Sequence, residues 1–329
     1  MKPLRVFLTR PVPDEGIRLL KKDPRISLSV YPHDRVISRI ELLRSIKKAD
    51  MVWTMLTDRV DDEFFVTGSQ VKFVANYAIG FDNIDLASAK KHGVSVANAP
   101  AEEIAESVAE HTIALMFALA RRIVESDMFT RAGKYHGWGP NLLLGTDLIG
   151  KTVGIIGAGR IGGMVARRLR DGFGLKILYH NPTRDRRFEK EHGALYRPLP
   201  RLLKESDFVT LHVPLLPSTR HLISTPELKM MKGAAFLINT ARGPVVDELA
   251  LTKALAKKEI AGAGLDVYEC EPFIDCNPHD RLDLRRMKNV VLTPHTASAS
   301  REARQAMSRE SAKNILAFVH GKKIPHLVQ

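Results

Sequence analysis

The sequence contains few cysteines and lacks any long apolar run. Only two of its 329 residues are cysteines, Cys270 and Cys276, which are too few for a disulfide framework. The most apolar stretch, residues 112–120, is shorter than the roughly 18 residues that a membrane span needs. The N-terminal residues MKPLRVFLTRPVPDEG hold too short an apolar core for a signal peptide. We therefore expect a cytoplasmic protein that binds no membrane.

The remaining composition is that of a globular protein. Hydrophobic residues make up 44% and charged residues 26%, which excludes a disordered or collagen-like chain. A length of 329 residues exceeds what one hydrophobic core usually serves and predicts two domains. The 50 lysines and arginines outnumber 37 acidic residues, for a formal net charge of +13. Because these basic residues are spread along the whole chain, we do not expect nucleic acid as a partner.

The N-terminal third alternates short apolar runs with amphipathic stretches. The apolar runs predict five buried strands, at 4–9, 27–31, 51–55, 72–78 and 95–98. Helical patterns lie between them, near 13–22, 38–48, 61–69 and 85–91. This alternation predicts a parallel sheet with helices on both faces. A long helix over 101–122 follows, and its apolar residues on all sides predict a domain or subunit contact.

A second series of strands and helices begins at Lys151. Its six strands are predicted at 152–157, 175–180, 207–212, 235–239, 262–267 and 289–292. Six such strands make a complete doubly wound sheet, so the fold class is α/β with two parallel-sheet domains. A last helix, predicted at 301–319, follows that sheet. One alternative is that the chain crosses back and docks this helix on the first domain, which the pattern leaves open.

The segment TVGIIGAGRIG, residues 152–162, runs from an apolar strand through G-x-G-x-x-G into a helix. Gly157 makes the tight turn, Gly159 lets the backbone approach a pyrophosphate, and Gly162 lets helix and strand pack closely. The N–H groups and the dipole at the helix start then hold the phosphates. This context predicts a dinucleotide site, with a chance glycine turn as the weaker alternative.

The end of the strand predicted at 175–180 bears on the choice of coenzyme. An Asp or Glu there would accept the 2′-hydroxyl of NAD. The loop offers an amide, a hydroxyl and guanidinium groups instead, in the order Asn181, Pro182, Thr183, Arg184, Arg186 and Arg187. This favours NADP(H), with NAD(H) as the second candidate. The alternative without a functional role is that these arginines are solvent-exposed residues at the start of a surface helix.

Three ionisable residues follow strands of the second sheet. Arg242 stands in INTARGPVVDE, Glu271 in GLDVYECEP and His295 in VLTPHTASAS. Ligands of open α/β sheets bind outside the carboxyl ends of the strands, so the three side chains can converge. An arginine binds a carboxylate through two hydrogen bonds, and a histidine moves a proton near neutral pH. A neighbouring glutamate would orient the imidazole and stabilise its charged form.

The run from 145 to 295 resembles the D-isomer-specific 2-hydroxyacid dehydrogenase family. The resemblance is carried by LLLGTDLIGKTVGIIGAGRIG, SDFVTLHVPLLPSTRHLI, LINTARGPVVDE, GAGLDVYECEP and LTPHTASAS. Within the family the chain is most similar to the glyoxylate/hydroxypyruvate reductases, through NYAIGFDNIDL and GWGPNLLLG. The resemblance implies that Arg242 binds the substrate carboxylate, His295 is the acid/base and Glu271 is its partner. Relatives that oxidise formate carry Gln in place of Glu271, so this residue favours hydroxyacid chemistry.

The implied activity is reduction of glyoxylate, hydroxypyruvate or a similar small 2-keto acid by NAD(P)H, giving the (D)-2-hydroxy acid. The alternative from another functional class is a dinucleotide-sensing protein of the corepressor type, which has the same fold. The resemblance also implies a homodimer built on the cofactor domain, with Trp138 reaching the partner's substrate cleft. In the similar reductases an arginine often follows Ser or Asn in the coenzyme loop, whereas Pro182 stands there in this chain.

The family's domain arrangement implies a flavodoxin-like substrate domain of residues 1–99 plus 294–329, around a Rossmann domain of residues 100–293. Met55, Leu56 and the loop of Ala78, Ile79 and Gly80 would face the cofactor, and N–H groups of that loop would hold the substrate carboxylate. The residues implied at the dinucleotide are Gly157, Ala158, Gly159, Arg160, Ile161, Gly162, Asn181, Pro182, Thr183, Arg184, Val213, Pro214, Thr219, Thr240, Ala241, Arg242, Asp266, His295, Ala297 and Ser298.

The stretch 273–284 has two interpretations. We favour a surface insertion, and the alternative is that Cys276 and His279 form part of a metal site. Too few ligands stand at workable spacing, so we expect no metal.

Overall fold

The computed structural model describes residues 2–271 and 282–328. The chain divides into two compact units, which we call the first unit, Met1–Ile104 with Ala299–Gln329, and the second unit, Ala105–Ser298. Each unit is a parallel sheet with helices, as the alternating pattern predicts.

The first unit contains a five-stranded parallel sheet in the order β2-β1-β3-β4-β5. Its N-terminal elements, in chain order, are β1 (Leu4–Leu8), α1 (Asp14–Lys21), β2 (Ile26–Val30), α2 (Arg39–Ile46), β3 (Met51–Thr54), α3 (Asp62–Thr67), β4 (Phe73–Asn76), α4 (Leu86–Lys91) and β5 (Ser95–Ala97). Every residue of β3 and β4 is buried, which is why these strands are continuous apolar runs. The edge strand β2 alternates exposed and half-buried residues instead.

The second unit contains a seven-stranded parallel sheet in the order β12-β11-β10-β9-β6-β7-β8. Its elements are α5 (Glu102–Ala120), which begins in the first unit, then α6 (Ile123–Arg131), β6 (Thr152–Ile156), α7 (Arg160–Phe173), β7 (Lys176–His180), α8 (Arg186–His192), β8 (Leu195–Tyr196), α9 (Leu199–Glu205), β9 (Phe208–Leu211), α10 (Thr225–Met230), β10 (Phe236–Asn239), a 3₁₀ turn (Gly243–Val245), α11 (Glu248–Ala256), β11 (Gly262–Leu265), α12 (Leu282–Arg286) and β12 (Val290–Leu292).

Two features of the second unit differ from the prediction. The six expected strands are present, and the two-residue strand β8 adds a seventh at the edge beside β7. The helix expected over 101–122 ends at Ala120, because Arg122 adopts a left-handed backbone with φ of 52°, and α6 then starts at Ile123. Buried residues of α5 such as Leu115 and Met116 contribute to the core around β6 and β7.

The last helix, α13 (Arg301–Val319), belongs to the first unit and packs on α1. Gly16 of α1 permits the close approach, since a methyl group there would lie 2.1 Å from the carbonyl oxygen of Ser308. The Ser308 hydroxyl accepts from the backbone N–H of Gly16 (3.0 Å) and donates to the carbonyl of Pro13 (2.6 Å). The alternative left open by the sequence, that the chain returns to the first domain, is therefore the observed one.

None of the helices within residues 2–271 and 282–328 combines the length and apolar character that crossing a bilayer requires.

Candidate active site

The glycine motif forms a tight turn between β6 and α7. Gly157 has φ of +100°, and a methyl group there would lie 2.5 Å from the carbonyl oxygen of His212. A methyl group at Gly162 would lie 2.3 Å from the carbonyl oxygen of Gly157, so this position also requires glycine. Gly159 instead faces open space, with nothing within 4 Å of its added methyl group. The turn therefore leaves room for a pyrophosphate at the N-terminus of α7 and fits a dinucleotide.

The first turn of α7 is uncapped by a side chain. Its N-cap residue, Gly159, has no side chain. No side chain therefore accepts a hydrogen bond from the first backbone N–H groups of the helix, which begin at Arg160 and Ile161. The side chain of Asn181 stabilises the glycine turn, because its Oδ1 accepts from the backbone N–H of Ala158 (2.8 Å). Asn181 thus lies at the end of β7 beside the glycine turn, as the sequence predicts.

The coenzyme loop after β7 contains an ion pair that the sequence did not predict. Arg184 donates from Nε to Oε1 of Glu189 (2.6 Å) and from Nη2 to Oε2 of the same carboxylate (2.8 Å). Pro182 and Thr183 are exposed beside it. The charge of Arg184, the predicted ligand of a 2′-phosphate, is therefore compensated by Glu189.

The carboxyl ends of β10, β11 and β12 lie at one edge of the sheet. Asn239, Leu265 and Leu292 are aligned across the three adjacent strands. The residues that follow these strands therefore start from neighbouring positions at this edge. Arg242, Glu271 and His295 all lie in the segments that follow.

The turn that carries Arg242 is held by a side chain and by a glycine. The Asn239 side chain accepts from the backbone N–H of Ala241 (3.0 Å) and donates to the carbonyl of Arg242 (2.9 Å). A methyl group on Gly243 would lie 1.8 Å from the carbonyl oxygen of Tyr268. Only glycine lets the Arg242 turn pack against the segment that leads into Glu271.

Glu271 and His295 are in direct contact. Oε2 of Glu271 lies 2.5 Å from Nδ1 of His295, and both side chains stay partly exposed, at 23% and 31%. The backbone of His295 is left-handed, with φ of 54°. Its N–H donates to the carbonyl of Asp266 (2.9 Å), which helps to hold this strained conformation.

Asp266 is fully buried and anchors the loop around His295. Its Oδ1 accepts from the Thr293 hydroxyl (2.6 Å) and the Thr296 N–H (2.8 Å), and its Oδ2 accepts from the Ala297 N–H (2.7 Å). The sequence predicted Asp266 at the dinucleotide, and the structure shows that its carboxylate positions the residues on both sides of His295.

Sequence reasoning missed two histidines near this edge. Nε2 of His111, on α5, lies 3.0 Å from the Thr293 hydroxyl and 3.6 Å from Oδ1 of Asp266. Nε2 of His212, directly after β9, is buried and has no hydrogen-bond partner among the described residues. Burial lowers the pKa of His212 to about 4, which keeps its ring neutral. The available signal was a histidine in the middle of a long, largely apolar helix and another at a strand end.

The other residues predicted at the dinucleotide lie after β9, β10 and β12. The Thr219 hydroxyl donates to the carbonyl of Pro214 (2.6 Å), beside half-buried Val213. Thr240 is buried, and its hydroxyl lies 2.9 Å from that of Thr112. Ala297 is buried and Ser298 is half-buried.

The predicted substrate loop of the first unit has all its carbonyl groups engaged. The carbonyl of Ala78 accepts from the Ala99 N–H (2.9 Å). Asn98 Nδ2 donates to the carbonyl of Ile79 (2.7 Å), and Asn76 Nδ2 to that of Gly80 (2.9 Å). Within the part of the chain that the structure describes, the three N–H groups of this loop donate to no other residue. The loop therefore presents unused donors, which suits an anion.

Leu56 lies in a neighbouring turn, between β3 and α3. The Met55 N–H donates to Oδ2 of Asp58 (2.8 Å), and Asn83 Nδ2 donates to the carbonyls of Met55 (3.1 Å) and Asp58 (3.0 Å). Leu56 itself is half-buried. Buried polar contacts thus fix the backbone on both sides of this predicted substrate residue.

Across residues 2–271 and 282–328, no group of three or more His, Cys, Asp or Glu side chains is arranged to hold a metal ion. Cys276, His279 and the greater part of the stretch 273–284 lie outside the described residues.

Comparisons with known proteins agree with this geometry. Residues 113–297, more than half of the chain, match the family model for the D-isomer specific 2-hydroxyacid dehydrogenase, NAD binding domain. The glyoxylate reductase of Pyrococcus furiosus is 46% identical, with 100% of this chain and 96% of that protein covered. The chain belongs to the D-isomer specific 2-hydroxyacid dehydrogenase family. The glyoxylate reductase of Korarchaeum cryptofilum is also 46% identical to this dehydrogenase, with the same coverage.

Solved structures show the same fold. The TT0316 protein of Thermus thermophilus has a TM-score of 0.89 and 37% identity, covering 99% of this chain and 100% of its own. The D-lactate dehydrogenase of Aquifex aeolicus, solved with NAD and lactic acid, has a TM-score of 0.86 and 31% identity, covering 98% of both chains. An acyclic imino acid reductase solved with NADPH has a TM-score of 0.84 and 29% identity, covering 99% of this chain and 100% of its own.

These findings make the protein an NAD(P)-dependent dehydrogenase that binds a nicotinamide dinucleotide. The two relatives that match the full length of the chain are named glyoxylate reductases, so the dinucleotide-sensing alternative is not favoured.

Proposed function

We propose that this dehydrogenase reduces glyoxylate, hydroxypyruvate or a similar small 2-keto acid to the (D)-2-hydroxy acid. The observation that carries the proposal is the contact between Glu271 and His295 at the sheet edge where the dinucleotide turn also lies. The names of the full-length relatives support the same substrate class.

In this reaction the reduced nicotinamide, when bound, supplies the hydride to the keto carbon. His295 supplies the proton to the keto oxygen. Since Glu271 occupies Nδ1, the nitrogen that exchanges the proton is Nε2. The Glu271 carboxylate stabilises the imidazolium form that is ready to give its proton.

In this proposal the Arg242 guanidinium pairs with the substrate carboxylate through two hydrogen bonds, from a turn that the two Asn239 hydrogen bonds hold. Within the first unit, the N–H groups of Ala78, Ile79 and Gly80 are donors that suit a carboxylate. The first unit would thus act as the substrate domain and the second unit as the dinucleotide domain.

The coenzyme proposed is NADPH rather than NADH. Asn181 stands where an NAD enzyme places a carboxylate, and it is already bonded to the glycine turn. The residue at the ribose position is therefore uncharged, and Arg184 is the first arginine that follows it in the sequence. Replacing Arg184 by Ala should weaken the binding of NADPH and leave the binding of NADH almost unchanged. Asn181→Asp should shift the coenzyme preference toward NADH.

We also propose a homodimer formed through residues 123–149. This segment exposes large apolar side chains, which are Ile123, Val124, Met128, Tyr135, Trp138, Leu142, Leu144 and Ile149. Trp138 is 84% exposed, which is unusual for the largest apolar side chain. A second copy of the chain would cover this surface and place Trp138 near its substrate. A cytoplasmic location remains a prediction.

A panel of 2-keto acids tested with both coenzymes is the decisive experiment. Steady consumption of NADPH or NADH with glyoxylate or hydroxypyruvate supports the proposal, and pyruvate and larger keto acids define the specificity. Tight dinucleotide binding with negligible turnover on every acid would contradict it and point to a sensor.

A further inference from the structure

The arginines that follow β7 are paired with carboxylates of α8, the helix that comes next in the chain. Glu189 binds Arg184 through both of its oxygens, and Glu191 accepts from Nε of Arg187 (2.7 Å). Both carboxylates come from α8. Carboxylates of α8 therefore neutralise two of the three arginines near the predicted 2′-phosphate site, Arg184 in the loop and Arg187 on the helix.

Glu189 is fixed more firmly than Glu191. Its side chain is 17% exposed, against 49% for Glu191. Oε1 of Glu189 lies 2.9 Å from the Tyr179 hydroxyl, which in turn accepts from the N–H of Asp185 (2.7 Å). The hydrogen bond from Arg184 lowers the pKa of Glu189 to about 2, so this carboxylate is charged at any working pH.

We propose that Glu189 sets the coenzyme preference by competing with the 2′-phosphate of NADPH for the guanidinium of Arg184. The inference rests on the proposed role of Arg184 as the phosphate ligand. Binding of the phosphate must displace or share the two hydrogen bonds to Glu189, and the fixed carboxylate repels the incoming phosphate. NADH has a hydroxyl at this position and avoids both costs. Glu189 thus reduces a preference for NADPH that the loop would otherwise express fully.

The test measures binding to the protein without nicotinamide, using two adenosine probes. Adenosine 2′,5′-bisphosphate carries the 2′-phosphate and 5′-AMP lacks it, and calorimetry gives the Kd of each. Glu189→Gln keeps an oxygen that accepts from Tyr179 and removes the charge. Glu191→Gln is the matched control, because Glu191 also pairs with an arginine on α8.

In Glu189→Gln the bisphosphate should bind about threefold to fivefold tighter, as expected for a partly exposed ion pair. Binding of 5′-AMP should be unchanged, and the ratio of kcat/KM for NADPH over NADH should rise by the same factor. Glu191→Gln should leave both probes unchanged, to within about twofold. The uncharged Glu189→Met should show the same gain if the glutamine variant folds poorly.

Arg184→Ala separates failure of this inference from failure of the proposed coenzyme site. If Arg184→Ala weakens the bisphosphate but Glu189→Gln does not tighten it, the competition is refuted and the coenzyme site survives. If Arg184→Ala has no effect on the bisphosphate, the phosphate site itself is wrong and the inference falls with it. Adding Glu189→Gln to Arg184→Ala should give no gain, since the guanidinium is gone.

Discussion

Nδ1 of His295 lies 2.5 Å from Oε2 of Glu271, although 24 residues separate them in the sequence. They meet because β11 and β12 are adjacent and parallel, so the segments that follow these strands begin side by side. Asp266 then fixes the loop that carries the histidine. The pair is therefore a product of the sheet topology and of one buried carboxylate.

Removing His295 tests its role as the acid. His295→Ala should lower kcat for the keto acid by roughly 10²–10⁴, the usual contribution of a positioned proton donor. Any loss of dinucleotide affinity should be much smaller than the loss of kcat, because the glycine turn that would hold the pyrophosphate lies after β6. Steady-state kinetics and calorimetry measure the two effects separately. Activity within a few-fold of the wild type would remove His295 from the mechanism.

Glu271→Gln tests whether the carboxylate acts through His295. The variant keeps the size of the side chain but loses the charge that stabilises the imidazolium, so kcat should fall. Adding Glu271→Gln to His295→Ala should cost little more, because residues that act as one unit are strongly non-additive. Additive losses in the double variant would show that Glu271 works independently of the histidine.

Gly243→Ala tests the close approach behind Arg242. The added methyl group meets the backbone of Tyr268, which cannot move aside as a flexible side chain can. We expect the Arg242 turn to shift and kcat/KM for the keto acid to fall by roughly 10², the cost of a misplaced binding group. Gly233→Ala is the control, since nothing lies within 4 Å of its added methyl group. Equal activity of the two variants would contradict the packing argument.

Some of this site could be predicted from sequence, and the reasons are physical. Buried parallel strands are continuous apolar runs, so β3 and β4 are visible as patterns, whereas β8 has only two residues and little burial. The contact between Glu271 and His295 could be predicted because both residues follow adjacent strands of one sheet, and the same argument predicts Arg242 at that edge. The pairing of Arg184 with Glu189 could not be predicted, because a charge pattern indicates the sign of the charge on a surface and not which charged groups pair with each other.

The role of Asp266 was only partly predictable for a similar reason. Its bonds to Thr293 and Ala297 depend on the loop geometry after β12, which the sequence pattern does not specify. The same holds for the left-handed backbone of His295, whose strain is stabilised by contacts distant in sequence.

The exposed apolar segment 123–149 predicts the oligomeric state. Met128→Glu places a charge on a side chain that is 66% exposed here and would be buried in the proposed dimer. Light scattering at micromolar concentration should give about twice 36.7 kDa for the wild type and a mass near 36.7 kDa for the variant. Ile40→Glu, at a position that is 72% exposed on α2, should leave the mass unchanged. A wild-type mass near that of one chain would refute the dimer.

The buried carboxylate of Asp58 predicts how stability changes with pH. The side chain is 3% exposed, and its Oδ2 accepts from the Thr9 hydroxyl (2.5 Å) and the Met55 N–H (2.8 Å). Burial raises the pKa of Asp58 to about 6, above its ordinary value of 3.8. Between these two values the folded protein binds more protons than the unfolded chain. Its stability therefore falls as pH rises through this window.

Asp58→Asn removes that titration while keeping an oxygen that accepts from both donors. Relative to the wild type, the variant should gain roughly 2–3 kcal/mol in free energy of unfolding between pH 4 and pH 7. Denaturant unfolding at several pH values measures this difference. Asp62→Asn is the control, because the hydrogen bond from His92 lowers the pKa of Asp62 below its ordinary value of 3.8. The difference in stability between Asp62→Asn and wild type should therefore stay constant between pH 4 and pH 7 and change, with the opposite sign, only at lower pH. A difference between Asp58→Asn and wild type that stays constant with pH would show that Asp58 does not titrate in this range.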